Sequence, residues 1–138
     1  MAPPRSAFSY AVVRVVPDIE REEFLNAGVI LFARERQFLE ARTWLDTDAL
    51  EALQPGCDAD GIRGQLRLVE RLAAGEVTAA PFDRMSQSER FHWLTAPRSD
   101  VIQSGPVHEG LSPDPAVTLN DLFATLVLAG QIPPSGKR

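Results

Sequence analysis

Asn26 to Ala33 reads Asn-Ala-Gly-Val-Ile-Leu-Phe-Ala, and it constrains this chain more than any other stretch. Successive residues of an extended strand face opposite sides, so Gly28, Ile30 and Phe32 share one face and Val29, Leu31 and Ala33 the other. Both faces are apolar. This predicts the central strand of a sheet that is covered on both sides. Phe8 to Val16 alternates more loosely and is rich in aromatic and β-branched residues, which predicts a second strand ended by Pro17. Phe38 to Leu45 predicts a third, with Phe38, Glu40, Arg42 and Trp44 set against Leu39, Ala41, Thr43 and Leu45. Only Arg34 to Gln37 separates it from the central strand, and so short a polar connection favours an antiparallel hairpin.

The second half changes period. Asp46 to Leu53 predicts a short helix closed by Pro55-Gly56. Asp58 or Asp60 caps a longer one, whose Ile62, Leu66, Val69 and Ala73 form one stripe that stops at Gly75. Ser86-Gln-Ser-Glu89 has the form of a capping box, and Pro97 keeps the helix it starts from running much past Ala96. Val101 to Ser104 predicts an edge strand. Ser112-Pro-Asp-Pro caps a last helix carrying Leu119, Leu122, Phe123, Leu126 and Val127, with Gly130 at its end. The charged run Asp18 to Leu25 predicts a helical turn in the first connection. Strands followed by helices predict an α+β fold, a mostly antiparallel sheet of three to four strands with helices packed on one face. The 138 residues leave room for one core. It is expected over residues 8–130, with flexible ends at 1–7 and 131–138.

Charge and cysteine usage narrow the function classes. The longest apolar run, Gly28 to Ala33, is far short of the roughly 20 residues that a membrane span requires. Met1-Ala-Pro-Pro-Arg5 is not followed by the apolar stretch of a signal peptide, so a cytoplasmic location is expected. The single cysteine, Cys57, can form no internal disulfide, in keeping with a reducing compartment. Its acidic neighbours Asp58 and Asp60 disfavour a thiolate nucleophile. A net charge of −5 argues against broad binding to duplex nucleic acid or to an anionic membrane. Lys137 is the sole lysine among 14 basic residues, a composition bias more than recognition chemistry.

Two segments concentrate chemistry. Arg90-Phe-His-Trp-Leu-Thr-Ala-Pro-Arg-Ser-Asp-Val-Ile-Gln-Ser-Gly-Pro-Val-His108 holds both histidines and one of the two tryptophans. In one reading Arg90, His92, Trp93, Arg98, Ser99, Gln103 and His108 form a polar pocket floored by Trp93 and suited to a phosphate or carboxylate. In the other, Phe91 and Trp93 are core, the arginines pair with acidic residues, and the histidines are satisfied hydrogen-bonders. The spacing of His92 and His108 fits no familiar metal site, and no cofactor is expected. As acid and base beside Arg98 they could cleave a phosphodiester, if they converge. The second segment joins Arg14, within an apolar strand, to the run from Asp18 to Asn26. A buried Arg14 needs a partner such as Glu23, and Asn26-Ala-Gly28 permits close backbone approach.

These same blocks carry a resemblance. Phe8-Ser-Tyr-Ala-Val-Val-Arg-Val-Val-Pro17, continuing through Arg21, Glu23-Phe24, Asn26 and Gly28-Val-Ile-Leu-Phe32, is one. Arg90 to Ser99 with Gln103 and Pro106-Val-His108 is the other. Together they resemble the bacterial domain-of-unknown-function family 3037, over about Phe8 to Val127. The resemblance implies no established activity, substrate or catalytic residue, but it points to a HipA-like kinase protein as a partner. Two functions are therefore expected. The first is a non-enzymatic binding or adaptor domain acting with a protein partner or as a homo-oligomer. The second is a small enzyme acting on a phosphate-containing or nucleotide substrate through His92 and His108. Stacking of single-stranded nucleic acid on Trp44 and Trp93 is opposed by the net charge.

Overall fold

In a computed structural model that describes residues 4–129, strand β2 (Leu25–Ala33) lies between β1 (Ser6–Val15) and β3 (Phe38–Thr43), antiparallel to both. The alternation of β2 explains the position. Ile30 joins Val13, Val15, Leu39, Ala41 and Phe32 in one apolar cluster, while Val29, Leu31 and Ala33 join a second with Leu119, Phe123 and Val127. Each large aliphatic side chain withdrawn from water contributes roughly 1.5–3 kcal/mol. A strand with such side chains on both faces is stable only between two covering layers.

Helices α1 (Thr47–Leu53), α2 (Ala59–Ala74) and α3 (Gln87–Thr95) form the first layer, supplying Leu50, Ile62, Leu66, Leu72, Phe91 and Leu94. Helix α4 (Pro115–Phe123), prolonged by a π-helical turn over Ala124–Leu128, covers β2 and β3 from the other side. The α+β class and the antiparallel sheet are as expected. The helices packed together on one face are α1 to α3, and α4 supplies the second cover that β2 requires.

The sheet has five strands, against the three to four expected. β4 (Ile102–Ser104) pairs with Val13–Val15, and β5 (His108–Ser112) pairs with Ser6–Tyr10. Both lie along the same edge of β1, with Gly105 to Val107 stepping from one to the other. β1 begins at Ser6, inside the end expected to be flexible. Residues 1–3 and 130–138, including Gly130 and the expected C-terminal tail, lie outside the described residues.

Local signals account for the boundaries. Asp46 and Asp58 accept hydrogen bonds from the amides of Ala49 and Gly61, capping α1 and α2, and Gly75 closes α2 in the left-handed region. Ser86 and Glu89 bond reciprocally as a capping box. The cap of α4 is Asp114, whose own amide is held by the Ser112 hydroxyl. Asp18 to Glu22 forms turns, not the helical turn expected, and Glu22 adopts a left-handed φ of 58°.

One irregularity matters for the surface. Between Val13 and Arg14 the register with β2 shifts, so that Val13 faces Gly28 and Arg14 faces Asn26, leaving Ala27 as an extra residue. Such a bulge bends a strand and re-aims its side chains. The Ala27 carbonyl accepts the Trp44 amide, and the Asn26 side-chain amide donates to the Leu126 carbonyl at 3.0 Å. Asn26 thereby satisfies a carbonyl near the end of the last helix.

At Gly28 the backbone of β3 approaches β2 too closely to leave room for a Cβ. A Cβ there would sit 2.7 Å from the Arg42 carbonyl oxygen and 2.8 Å from the Thr43 methyl. A methyl group at Gly64, inside α2, would meet nothing within 4 Å. Gly28→Ala is therefore expected to destabilise the fold by about 1–3 kcal/mol in urea unfolding. Gly64→Ala is expected to stabilise it by up to about 1 kcal/mol. Equal effects would contradict this packing.

Candidate functional site

Helix α3 lies on the Ile30–Phe32 face of the sheet because Phe91 and Leu94 are buried there, Phe91 with its ring 5.4 Å from that of Phe32. This anchoring rotates Trp93 towards α2 and β4. The indole remains 38% exposed and meets Phe82 edge-on at 5.0 Å. Pro97 ends the helix, and the chain turns so that the Arg98 guanidinium stacks over the indole at 4.4 Å. Arg98 also donates to the Trp93 carbonyl, which among the described residues otherwise accepts only the long 3.4 Å bond from the Ala96 amide at the helix end. The stack fixes Arg98 while leaving it in solvent.

Trp93 and Arg98 border a cleft of about 200 Å³ between α2, α3 and β4. Val13, Ile30, Val69, Leu72, Leu94 and Ile102 make it largely apolar, and Leu68 on α2 is 44% exposed beside it. Gln65, Asp100 and Gln103 supply the polar rim. The Asp100 carboxylate accepts the Val101 amide, and the Gln103 side chain donates to the Asp100 carbonyl, so the rim is braced from within. Ser99 is exposed in the adjoining turn. An apolar floor with a few placed polar groups can bury an apolar group and orient it from its edge.

The two signature blocks meet in space, since β1 pairs with β4 and β5 and α3 covers β2. They do not form one pocket. His92 is exposed on α3, its Nδ1 2.7 Å from the Ser88 carbonyl. It lines a separate, wider groove of about 810 Å³ with Ser9, Phe91, Thr95 and Glu109. His108 pairs with Tyr10, its ring 5.2 Å away, and Tyr10 packs against the α4 layer. The two imidazoles therefore occupy opposite faces of the sheet. The acid–base pair expected of His92 and His108 is corrected accordingly: the two rings point to opposite faces of the edge strand β5 and share no pocket.

Two further expectations change. Glu23 pairs with Arg21 at 3.1 Å in an exposed bridge, not with Arg14. Arg14 lies 4.2 Å over the Phe24 ring, beside Gly105, where a Cβ would sit 3.2 Å from the guanidinium. An aromatic face takes the place of the carboxylate. Arg90, expected to hold an anion, instead donates to the Met85 carbonyl at 3.0 Å and the Ala73 carbonyl at 3.5 Å, over Gly75. It thus sits as a cation at the C-terminal end of α2, where the helix dipole favours one.

Leu68 and Gln65 are site residues that the sequence pattern does not pick out. The helical stripe includes Val69, and the apolar Leu68 standing just off that stripe is the available sequence signal. The Glu89 carboxyl is held below the usual carboxylate range, first by the Ser86 amide and then by the Ser86 hydroxyl. This belongs to the capping box and not to the cleft. Among the described residues no three or more His, Cys, Asp or Glu side chains gather as a metal site, and no helix is long and apolar enough to cross a membrane.

A structural role for Arg90 has a measurable consequence. Arg90→Ala is expected to cost roughly 1–3 kcal/mol of stability by leaving the Ala73 carbonyl at the end of α2 and the Met85 carbonyl in the loop without this donor. Arg90→Lys is expected to recover only part of that, because one ammonium lacks the guanidinium fork. Unchanged urea midpoints in both variants would contradict it.

The family model described as "Protein of unknown function (DUF3037)" matches residues 10–127. No curated protein and no solved structure matches the chain. The matched span runs from Tyr10 in β1 to Val127 beyond α4, so it takes in both covering layers, the bulge and every residue of the Trp93–Arg98 cleft. The chain belongs to the DUF3037 family.

Proposed function

We propose that this chain is a non-enzymatic binding domain that receives a protein partner in the cleft between α2, α3 and β4. The observation that carries the reading is the exposed Trp93–Arg98 stack at the mouth of an apolar-floored cleft. Tryptophan and arginine are the side chains that most often dominate protein interfaces, where they combine apolar area with directional donors. The cleft's dimensions suit one apolar side chain of the partner. Arg98, exposed on its stack, favours an acidic neighbour of that side chain.

Dispersal of the histidines supports binding over acid–base catalysis. Of the cations expected to hold an anion, Arg90 is committed to carbonyls, which leaves Arg98 as the candidate for a small anionic ligand. The HipA-like kinase protein implied by the resemblance enters as one partner to be supplied directly.

The test compares wild type with the Trp93→Ala/Arg98→Ala double variant, each checked for an unchanged circular dichroism spectrum. Affinity for a co-purifying partner is expected to fall at least tenfold, about 1.4 kcal/mol, in the double variant. Retention of every partner at unchanged affinity would place the interface elsewhere. Phosphate, nucleotides and carboxylates are screened by thermal shift in parallel, since a ligand of the native state raises the melting temperature.

A further inference from the structure

We propose that two copies of this chain associate by pairing their β5 strands edge to edge, around an axis through Gly110. The inference rests on backbone geometry at the sheet edge and is independent of the cleft. In an antiparallel ladder successive residues direct their N–H and C=O groups alternately to one neighbour and the other. The Gly105 amide donates to the Val12 carbonyl and the Val16 amide to the Val101 carbonyl, so the even-numbered residues of β1 bond towards the β4–β5 edge. Continuing that alternation, Phe8 and Tyr10 bond inward with Gly110 and His108, their direct partners.

Glu109 and Leu111 must then present their N–H and C=O groups outward. Among the described residues no hydrogen bond engages those groups. Strand edges of this kind are usually guarded by Pro, Lys or a covering loop. His108–Ser112 has no Pro or Lys within it, and its one acidic side chain is Glu109; Leu111 is 64% exposed, and Val107, just before the strand, is 44% exposed.

The occupant follows from register. A two-fold axis perpendicular to the sheet through Gly110 sets Glu109 opposite Leu111 of the second copy, and Leu111 opposite Glu109 of the second copy. All the outward groups then pair, and the two glycines meet at the axis without side chains. Sliding by two residues in one direction places Glu109 against its own counterpart, which repels. Sliding in the other places Glu109 against Pro113, which has no N–H to donate. The strand is therefore self-complementary in one register only, as an interface between identical copies must be. Each copy carries a net charge of −5, so added salt should strengthen the pairing.

Sedimentation and light scattering over a micromolar-to-millimolar range test the proposal. Wild type is expected to rise from 15.2 kDa towards twice that mass, more readily at high salt. Leu111→Pro removes an outward N–H without touching the inward ladder, and Leu111→Lys adds a guarding charge. Both are expected to stay monomeric, and Leu111→Lys keeps the test sound if the proline variant does not fold. Hydrogen exchange at the Glu109 and Leu111 amides is expected to slow as wild-type concentration rises. A wild type that remains at 15.2 kDa throughout would overturn the proposal. So would undiminished association of the lysine variant, or association that leaves those two amides exchanging freely.

Discussion

Burial of both faces of β2 is the constraint on which the remaining architecture depends. Ile30 and Leu31 are adjacent in the chain and both essentially withdrawn from solvent, yet they belong to different apolar clusters. Satisfying them requires α1 to α3 on one side and α4 on the other. The sheet becomes a partition between two layers, and side chains from any paired strand fall on one side or the other by parity. That parity sends His108 with Tyr10 to the α4 side, while Trp93, Arg98 and His92 stay with α3.

Polar side chains near this partition act as fasteners where apolar packing cannot finish the fold. Asn26 reaches a carbonyl of the last helical turn because the bulge at Ala27 aims it there. Glu70 on α2 accepts both the amide and the hydroxyl of Thr43, tying the end of β3 to the helical layer. Arg90 joins the ends of α2 and the loop before α3. Each contact offsets the cost of burying a backbone group without a partner. Among the described residues Arg98 is held by its stack and by the Trp93 carbonyl instead of by ion pairing, and the outer groups of β5 engage no hydrogen bond.

Much of this was legible in the residues. The two-sided pattern of Asn26–Ala33, the hairpin into β3, the Gly75 stop, the capping box at Ser86–Glu89 and the edge strand near Val101–Ser104 all rest on local rules that one segment carries by itself. The failures were non-local. β5 carries no alternation of its own, since His108-Glu-Gly-Leu-Ser112 pairs through its backbone and leaves most side chains exposed. Charge alone matches Arg14 to a carboxylate, whereas proximity in the fold supplies the Phe24 ring. Density of polar groups between Arg90 and His108 suggested one pocket, but sheet parity, which no single segment encodes, divides them.

The candidate site is thus a cleft on one side of the partition, framed by Trp93 and Arg98, in a member of the DUF3037 family. The cleft exists on that side because adjacent residues of β2 separate into different layers. Nuclear Overhauser spectroscopy on methyl- and aromatic-labelled protein measures this directly. Ile30 methyls are expected to correlate with side chains of α2 and α3, and Leu31 methyls with those of α4. The His92 ring should join the first set and the His108 ring, through Tyr10, the second. Cross-peaks linking both histidine rings to one common set of side chains would contradict the account.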